Sequence, residues 1–176
     1  MKSLDLAAQY LGVQETAGPN DGPILKAIRE SMLYLGAPPC PWCALFVSWI
    51  LCRSYAPADL SKKAYRGWLR EHLGFGNIWI PESCRAWVDS AWNPEAKARL
   101  AGDRLPGPGD LFVLRNSQGH AHHIGFVTEA LPEREFGTLE GNTNSGGSVN
   151  GDGVYRRVRT ADHATSFIIL PDSLKE

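Results

Sequence analysis

The sequence predicts an α+β fold, and three observations carry that prediction. Apolar residues recur at helical spacing up to about residue 105, and Leu105-Pro-Gly-Pro-Gly109 then breaks the chain. Beyond the break, apolar and polar residues alternate with the period of a strand. Helices first and strands after them point to segregated layers rather than alternating β-α-β units.

Leu4, Ala7, Ala8 and Leu11 mark a first helix, and Ile24, Leu25, Ile28, Met32 and Leu35 a second, ended by Gly36. The loop Gly18-Pro-Asn-Asp-Gly-Pro23 separates them. A third helix is expected from Pro41, and its Ala44, Leu45, Phe46, Val47, Trp49, Ile50 and Leu51 are apolar nearly all round, the pattern of a helix buried in the middle of a domain. Shorter helices are expected near 61–72, 82–91 and 94–101. Strands fit 110–115, 123–129, 136–140, 154–160 and 166–170, an antiparallel meander.

A chain of 176 residues, 43% hydrophobic and with six tryptophans, can bury one core without disulfides or metal. One domain over 1–176 is expected, with a helical insertion at about 54–105 packed on it. The net charge of -1 gives no general attraction to nucleic acid or anionic lipid, and neither is expected as a partner. The one dense basic run, Tyr155-Arg-Arg-Val-Arg159, reads as the solvated face of a strand. Residues 1–10 are interrupted by Asp5 and Gln9 and do not read as a signal peptide, which implies synthesis in the cytoplasm. The longest nearly apolar stretch, Ala44 to Cys52, is about half of the roughly 20 residues a membrane helix needs. Four cysteines (Cys40, Cys43, Cys52, Cys84) without a secretory signal are expected to stay reduced, so a special cysteine here is reactive rather than structural.

Cys43 stands at the start of the buried helix, right after Pro41 and Trp42. Proline suits a first helical turn because its missing N–H is not needed there. A thiol at that end feels the positive end of the helix, which favours thiolate, and lies beside unpaired N–H groups able to hold an oxyanion. Nucleophilic catalysis then needs a fixed base. His123-Ile-Gly-Phe-Val127 puts a histidine at the start of an alternating strand, with His123, Gly125 and Val127 on one face. A hairpin that pairs Glu129 with Arg134 leaves a four-residue loop and sets Val127 against Phe136, Gly125 against Thr138 and His123 against Glu140. Opposed side chains have Cβ atoms roughly 5 Å apart, within reach of a carboxylate–imidazole hydrogen bond. Asn142 is then the diagonal neighbour of His123, placed to share the role of Glu140 or to donate to an oxyanion.

Four stretches together resemble the CHAP family of peptidoglycan amidases and endopeptidases, papain-like cysteine hydrolases related to NlpC. They are Pro41-Trp-Cys-Ala-Leu-Phe-Val-Ser-Trp49, Pro108-Gly-Asp-Leu-Phe112, His123-Ile-Gly-Phe-Val127 and Glu140-Gly-Asn142, in the family's order of Cys, His, Glu and Asn. Glu15-Thr-Ala-Gly-Pro-Asn-Asp-Gly-Pro23 also resembles a segment that precedes the nucleophile in one branch. The resemblance implies a papain-like fold with the nucleophile opening the core helix. It also implies attack by Cys43 on an amide carbonyl, proton transfer by His123, and orientation of the imidazole by Glu140, a role that Asn142 is placed to share. The implied substrate is the peptide of peptidoglycan, the implied place of action the cell wall, and no cofactor or metal is expected. The export route and any delivery or immunity partner are left open. Cys40 and the histidines His120 and His122 depart from the family's pattern.

Rival readings come from the same residues. Cys40-Pro-Trp-Cys43 is a C-x-x-C motif at a helix start, as in thiol-disulfide oxidoreductases, but it follows a helix end and loop rather than an early strand. A Cys40–Cys43 disulfide would also switch a hydrolase off. His120, His122 and His123 suggest a zinc site, yet their spacing suits one closed tetrahedral site poorly. A non-catalytic wall-binding module would keep the fold while losing hydrolysis, and the complete Cys, His, Glu set argues against it. Glu15, Asn20 and Trp42 are placed to line a groove, with capping or tying the loop as the plainer reading of Glu15 and Asn20.

Overall fold

The computed structural model describes residues 1–32, 41–76, 83–101, 105–146 and 151–175. Among these residues five α-helices precede the six strands: α1 Lys2–Ala8, α2 Pro23–Ser31, α3 Cys43–Tyr55, α4 Tyr65–Leu73 and α5 Cys84–Ala91. The strands are β1 Arg99–Leu100, β2 Leu111–Arg115, β3 Ala121–Ala130, β4 Glu135–Thr143, β5 Gly153–Thr160 and β6 Thr165–Ile169. They form one antiparallel sheet in the order β1-β6-β2-β3-β4-β5. The expected α+β architecture is therefore present, with a correction to the meander. Strands β2 to β5 follow one another, whereas β6 crosses back to pair with β2.

Helix α3 is the hub of the core. Every residue from Cys43 to Cys52 is buried, and the helix packs on β3 and β4 and against α1, α2 and α4. Burial of a side chain such as Leu45, Ile50 or Leu51 contributes about 1.5–3 kcal/mol. The helix begins at Cys43, with Trp42 as its N-cap, so Pro41 precedes the helix instead of filling its first turn. The face of the sheet toward the helices carries Leu111, Val113, Ile124, Phe126, Leu139, Val154 and Ile168. The alternate residues Phe112, Val127 and Phe136 make a smaller cluster on the other face.

Several described residues of the segment 54–105 lie in the main core. Leu69, Leu73, Trp87, Val88, Ala96 and Ala98 belong to the main core cluster, and α5 packs on β3. The expected helix at 94–101 is absent. The side chain of Asn93 accepts the N–H of Glu95 in a turn, and Ala96 and Ala98 then point inward while Glu95, Lys97 and Arg99 point out. Arg99 and Leu100 pair with Ile169 and Ile168. The first helix also stops short, at Ala8: the next three amides bond three residues back, and the chain turns through Gly12 at φ 79°, which leaves Leu11 exposed. The C-terminal end expected for the second helix, Leu35 and Gly36, lies outside the described residues. Residues 12–15 run beside β5, with Gly12 N–H on Val154 O, Val154 N–H on Val13 O and Glu15 N–H on Asp152 O. Among the described residues no helix is long and apolar enough to cross a membrane.

Candidate active site

Cys43 is 2% exposed and opens the core helix. The first hydrogen bond of that helix runs from Phe46 N–H to Trp42 O at 2.8 Å, so the amides of Cys43 to Leu45 lie ahead of the ladder. The Cys84 thiol is 3.6 Å from the Cys43 sulfur. The neighbouring Cys84, then the His123 imidazolium and the Ile124 N–H, hold the Cys43 thiol well below its ordinary range, although burial works the other way. Cys52 makes the contrast: burial with no such partner pushes its thiol far up. Among the described cysteines, all free, only Cys43 has the surroundings of a thiolate.

His123 is fully buried on β3, and its Nε2 is 2.8 Å from Glu140 Oε2. Nε2 therefore carries the proton toward the carboxylate. Nδ1 has no hydrogen-bond partner of ordinary geometry, which leaves it free toward the Cys43 sulfur, its other charged neighbour. Burial pulls the imidazole down, but Cys43 and Glu140 outweigh it and push its pKa up to about 9. The Phe112 ring stands 5.9 Å from the imidazole, centre to centre.

Glu140 is also fully buried and saturated with donors. Arg159 gives Nε–H to Oε1 at 2.6 Å and Nη2–H to Oε2 at 2.5 Å, and the Thr138 hydroxyl donates to Oε1 at 2.5 Å. Burial raises the carboxyl, and the bonds from Arg159 and His123 overcome it, bringing its pKa down to about 2. The Arg159 guanidinium in turn lies 5.6 Å from the centre of the Phe112 ring.

The register behind this contact differs from the expected one. Strand β3 runs on to Ala130, opposite Phe136, and the turn places Glu133 and Arg134 at φ 56° and 62°. A bulge between Val127 and Glu129 then brings Val127 opposite Thr138 and Phe126 opposite Leu139. The net displacement from the expected pairing is two residues, an even number, so every side chain keeps its face. Glu140 reaches His123 diagonally, across Gly125. A Cβ at Gly125 would meet Phe112 Cε1 at 2.7 Å and Glu140 Cγ at 3.1 Å, so glycine there leaves the passage open. Gly141 does the same for the helix: a Cβ there would meet Trp42 Cζ3 at 2.6 Å and Phe46 Cγ at 2.8 Å. The two glycines let the strand that carries Glu140 approach both His123 and the start of α3.

Asn142 stands apart from this network. It is buried, at φ 60°, and neither its Oδ1 nor its Nδ2 has a hydrogen-bond partner. Trp42 Nε1–H donates to Glu15 Oε1 at 3.0 Å, and Asn20 N–H donates to Glu15 Oε2 at 2.6 Å. Glu15 thus ties the loop to the residue before Cys43. Glu15 and Asn20, with Thr16, Asn144 and Asp152, line an open cleft of about 470 Å³. Asp110, in the Pro-Gly-Asp stretch, accepts from Gly107 N–H and Leu170 N–H and pairs with Lys175 at 2.6 Å, a structural tie.

Two participants are missing from the expectations. Arg159, expected on a solvated strand face, has a side chain only 14% exposed and clamps Glu140. The signal for it is parity: β5 pairs Arg159 with Phe136 and Tyr155 with Glu140, so the odd positions of β5 share the face of Glu140. Cys84 has no local signal at all, since it reaches Cys43 only through the packing of α5. Cys40 lies outside the described residues, and before α3 these hold two helices and a single bridge residue, Gln14. Among the described residues no three His, Cys, Asp or Glu side chains gather as a metal site requires.

The CHAP domain family model matches residues 36–142, which include Cys43, His123, Glu140 and Asn142. The chain belongs to the CHAP family. Comparison with curated proteins found no match. CHAP membership suggests a peptidoglycan hydrolase, amidase or peptidase acting at the cell wall.

Proposed function

We propose that this CHAP protein is a cysteine hydrolase of amide bonds in peptidoglycan, acting through Cys43, His123 and Glu140 within one domain over 1–176 that includes the 54–105 segment. The observation that carries the reading is the chain of contacts Cys43, His123, Glu140, Arg159, in which a depressed thiol faces an imidazole whose far nitrogen is pinned by a carboxylate. The Cys43 thiolate attacks the amide carbonyl carbon, and the oxyanion is met by amides at the start of α3. His123 Nδ1–H protonates the leaving amine, giving a thioester on Cys43. Nδ1 then takes a proton from water, whose oxygen attacks the thioester and releases the acid and the free thiolate. Glu140 holds Nε2–H throughout, and Arg159 and Thr138 hold Glu140. Asn142, buried with its amide unengaged, is assigned to a second oxyanion donor rather than to the orientation of the imidazole.

The test is digestion of peptidoglycan from several wall chemotypes with the reduced protein, with fragments identified by mass spectrometry beside Cys43→Ala. An intact stem peptide freed from its sugar identifies an amidase, and a shortened stem or split crossbridge an endopeptidase. Equal products from Cys43→Ala, or none from a folded wild type on any wall, overturn the proposal.

A further inference from the structure

The Cys43 and Cys84 sulfurs are 3.6 Å apart, both cysteines are free, and both are buried, at 2% and 8% exposure. Each is the first residue of its helix, Cys43 of α3 and Cys84 of α5, so two helix starts from segments 41 residues apart converge on one contact. Helix α5 is fixed there by its Ser83 cap, which accepts the Ala86 N–H at 3.2 Å, and by Trp87 and Val88 in the core. The hydrolytic cycle described above uses Cys43 and leaves Cys84 without a step.

We propose that Cys84 is a resolving cysteine, which captures hydroperoxide-oxidised Cys43 as a Cys43–Cys84 disulfide and so turns the site off reversibly. This rests on the reading of Cys43 as a reactive thiolate. The Cys43 thiolate attacks one oxygen of the hydroperoxide, breaking the O–O bond. With hydrogen peroxide the products are a sulfenic acid on Cys43 and hydroxide. The Cys84 sulfur then attacks the Cys43 sulfur; the S–O bond breaks, and the oxygen leaves as water with the Cys84 proton. Two thiols are oxidised and one peroxide is reduced. The sulfurs must close by about 1.5 Å to reach a disulfide bond of roughly 2.05 Å. The chemistry also orders itself: of the causes that hold the Cys84 thiol up, the bond and the negative charge from Cys43 vanish once Cys43 is a neutral sulfenic acid, and burial remains.

The experiment treats the full-length reduced protein, freed of reductant, with a small excess of hydrogen peroxide. Remaining thiols are then blocked with N-ethylmaleimide, and the protein is digested and mapped by mass spectrometry. The expected product is a peptide pair joined through Cys43 and Cys84, with hydrolytic activity lost at least tenfold and recovered on adding dithiothreitol. Cys84→Ser and Cys84→Ala are each read against their own untreated activity. They should form no such pair, accumulate sulfinic acid on Cys43 and fail to recover. The proposal is overturned by a pair joining Cys43 to Cys40, or by sulfinic acid forming on Cys43 as fast in the wild type as in Cys84→Ser. The mapping needs no substrate: a Cys43–Cys84 bond in a protein that digests no wall leaves this inference standing and removes the proposed function, while digestion without the bond does the reverse.

Discussion

Replacing Arg159 by Met removes two short charge-assisted bonds from a carboxylate that has no exposure to water. Glu140 keeps its bonds to His123 and Thr138, so the loss falls toward the lower end of the roughly 3–5 kcal/mol that accompanies breaking a buried ion pair. The whole pKa shift of the carboxyl sets the scale of what Arg159 and His123 supply together. The drop of the Glu140 pKa from 4.5 to about 2 is worth about 3 kcal/mol at ~1.4 kcal/mol per unit, shared between Arg159 and His123. In a domain of this size the midpoint of thermal unfolding should fall by roughly 6–12 °C, at about 2–4 °C per kcal/mol.

The sign with pH follows from the direction of the shift. A carboxyl held below its ordinary value contributes stability above about pH 4.5 and loses it as pH falls toward 2. Arg159→Met raises that pKa, so its deficit is full at pH 7 and shrinks at pH 4. Urea unfolding of wild type, Arg159→Met, Glu140→Gln and the double variant at both pH values measures this. The double variant should recover part of the single losses, because no stranded charge remains. A deficit under about 0.5 kcal/mol, one equal at both pH values, or strict additivity would mean that Arg159 does not hold the Glu140 charge in place.

Iodoacetamide should alkylate Cys43 with an inflection well below the ordinary thiol range, and His123→Ala should move that inflection up. Hydrolysis should fade as pH rises through about 9, where His123 loses the proton it gives to the leaving amine; the stability the raised His123 contributes, complete below 6.5, is lost over the same range. Gly141→Ala drives a Cβ into Trp42 and Phe46, so a loss of about 1–3 kcal/mol in urea unfolding is expected. Its activity loss should exceed what the unfolded fraction explains, because the start of α3 moves. Asn142→Gly suits the positive φ and deletes only the side chain; a kcat roughly 100-fold lower at unchanged KM supports the oxyanion role, and an unchanged kcat removes it.

What was legible in the sequence depended on whether a short-range pattern encodes it. Ten consecutive buried residues on α3 leave an unmistakable apolar run, and His123 and Glu140 lie on alternating strands whose parity survives an even register error. The bulge near Thr128 and the two left-handed turn residues leave no comparable trace in composition. Strand β1 was hidden because its approach, Glu95 to Leu100, spells a period of two in Ala, Glu, Lys and Arg, residues that favour helix. Arg159 was misplaced because a run of arginines on an outer strand ordinarily meets water, and only the pairing of β5 with β4 turns one of them onto a buried carboxylate. Cys84 depends on the packing of a segment that reads as peripheral.

In the proposed cycle Cys43 carries the acyl group during hydrolysis. Digestions of peptidoglycan quenched in acid within the first turnovers and mapped by mass spectrometry test this directly. A stem-peptide fragment is expected on Cys43, released by neutral hydroxylamine as expected of a thioester and absent from His123→Ala, which can neither lower the Cys43 thiol nor protonate the leaving amine. Fragments released by the wild type with Cys43 unmodified at every quench time, or the adduct on another residue, would contradict it.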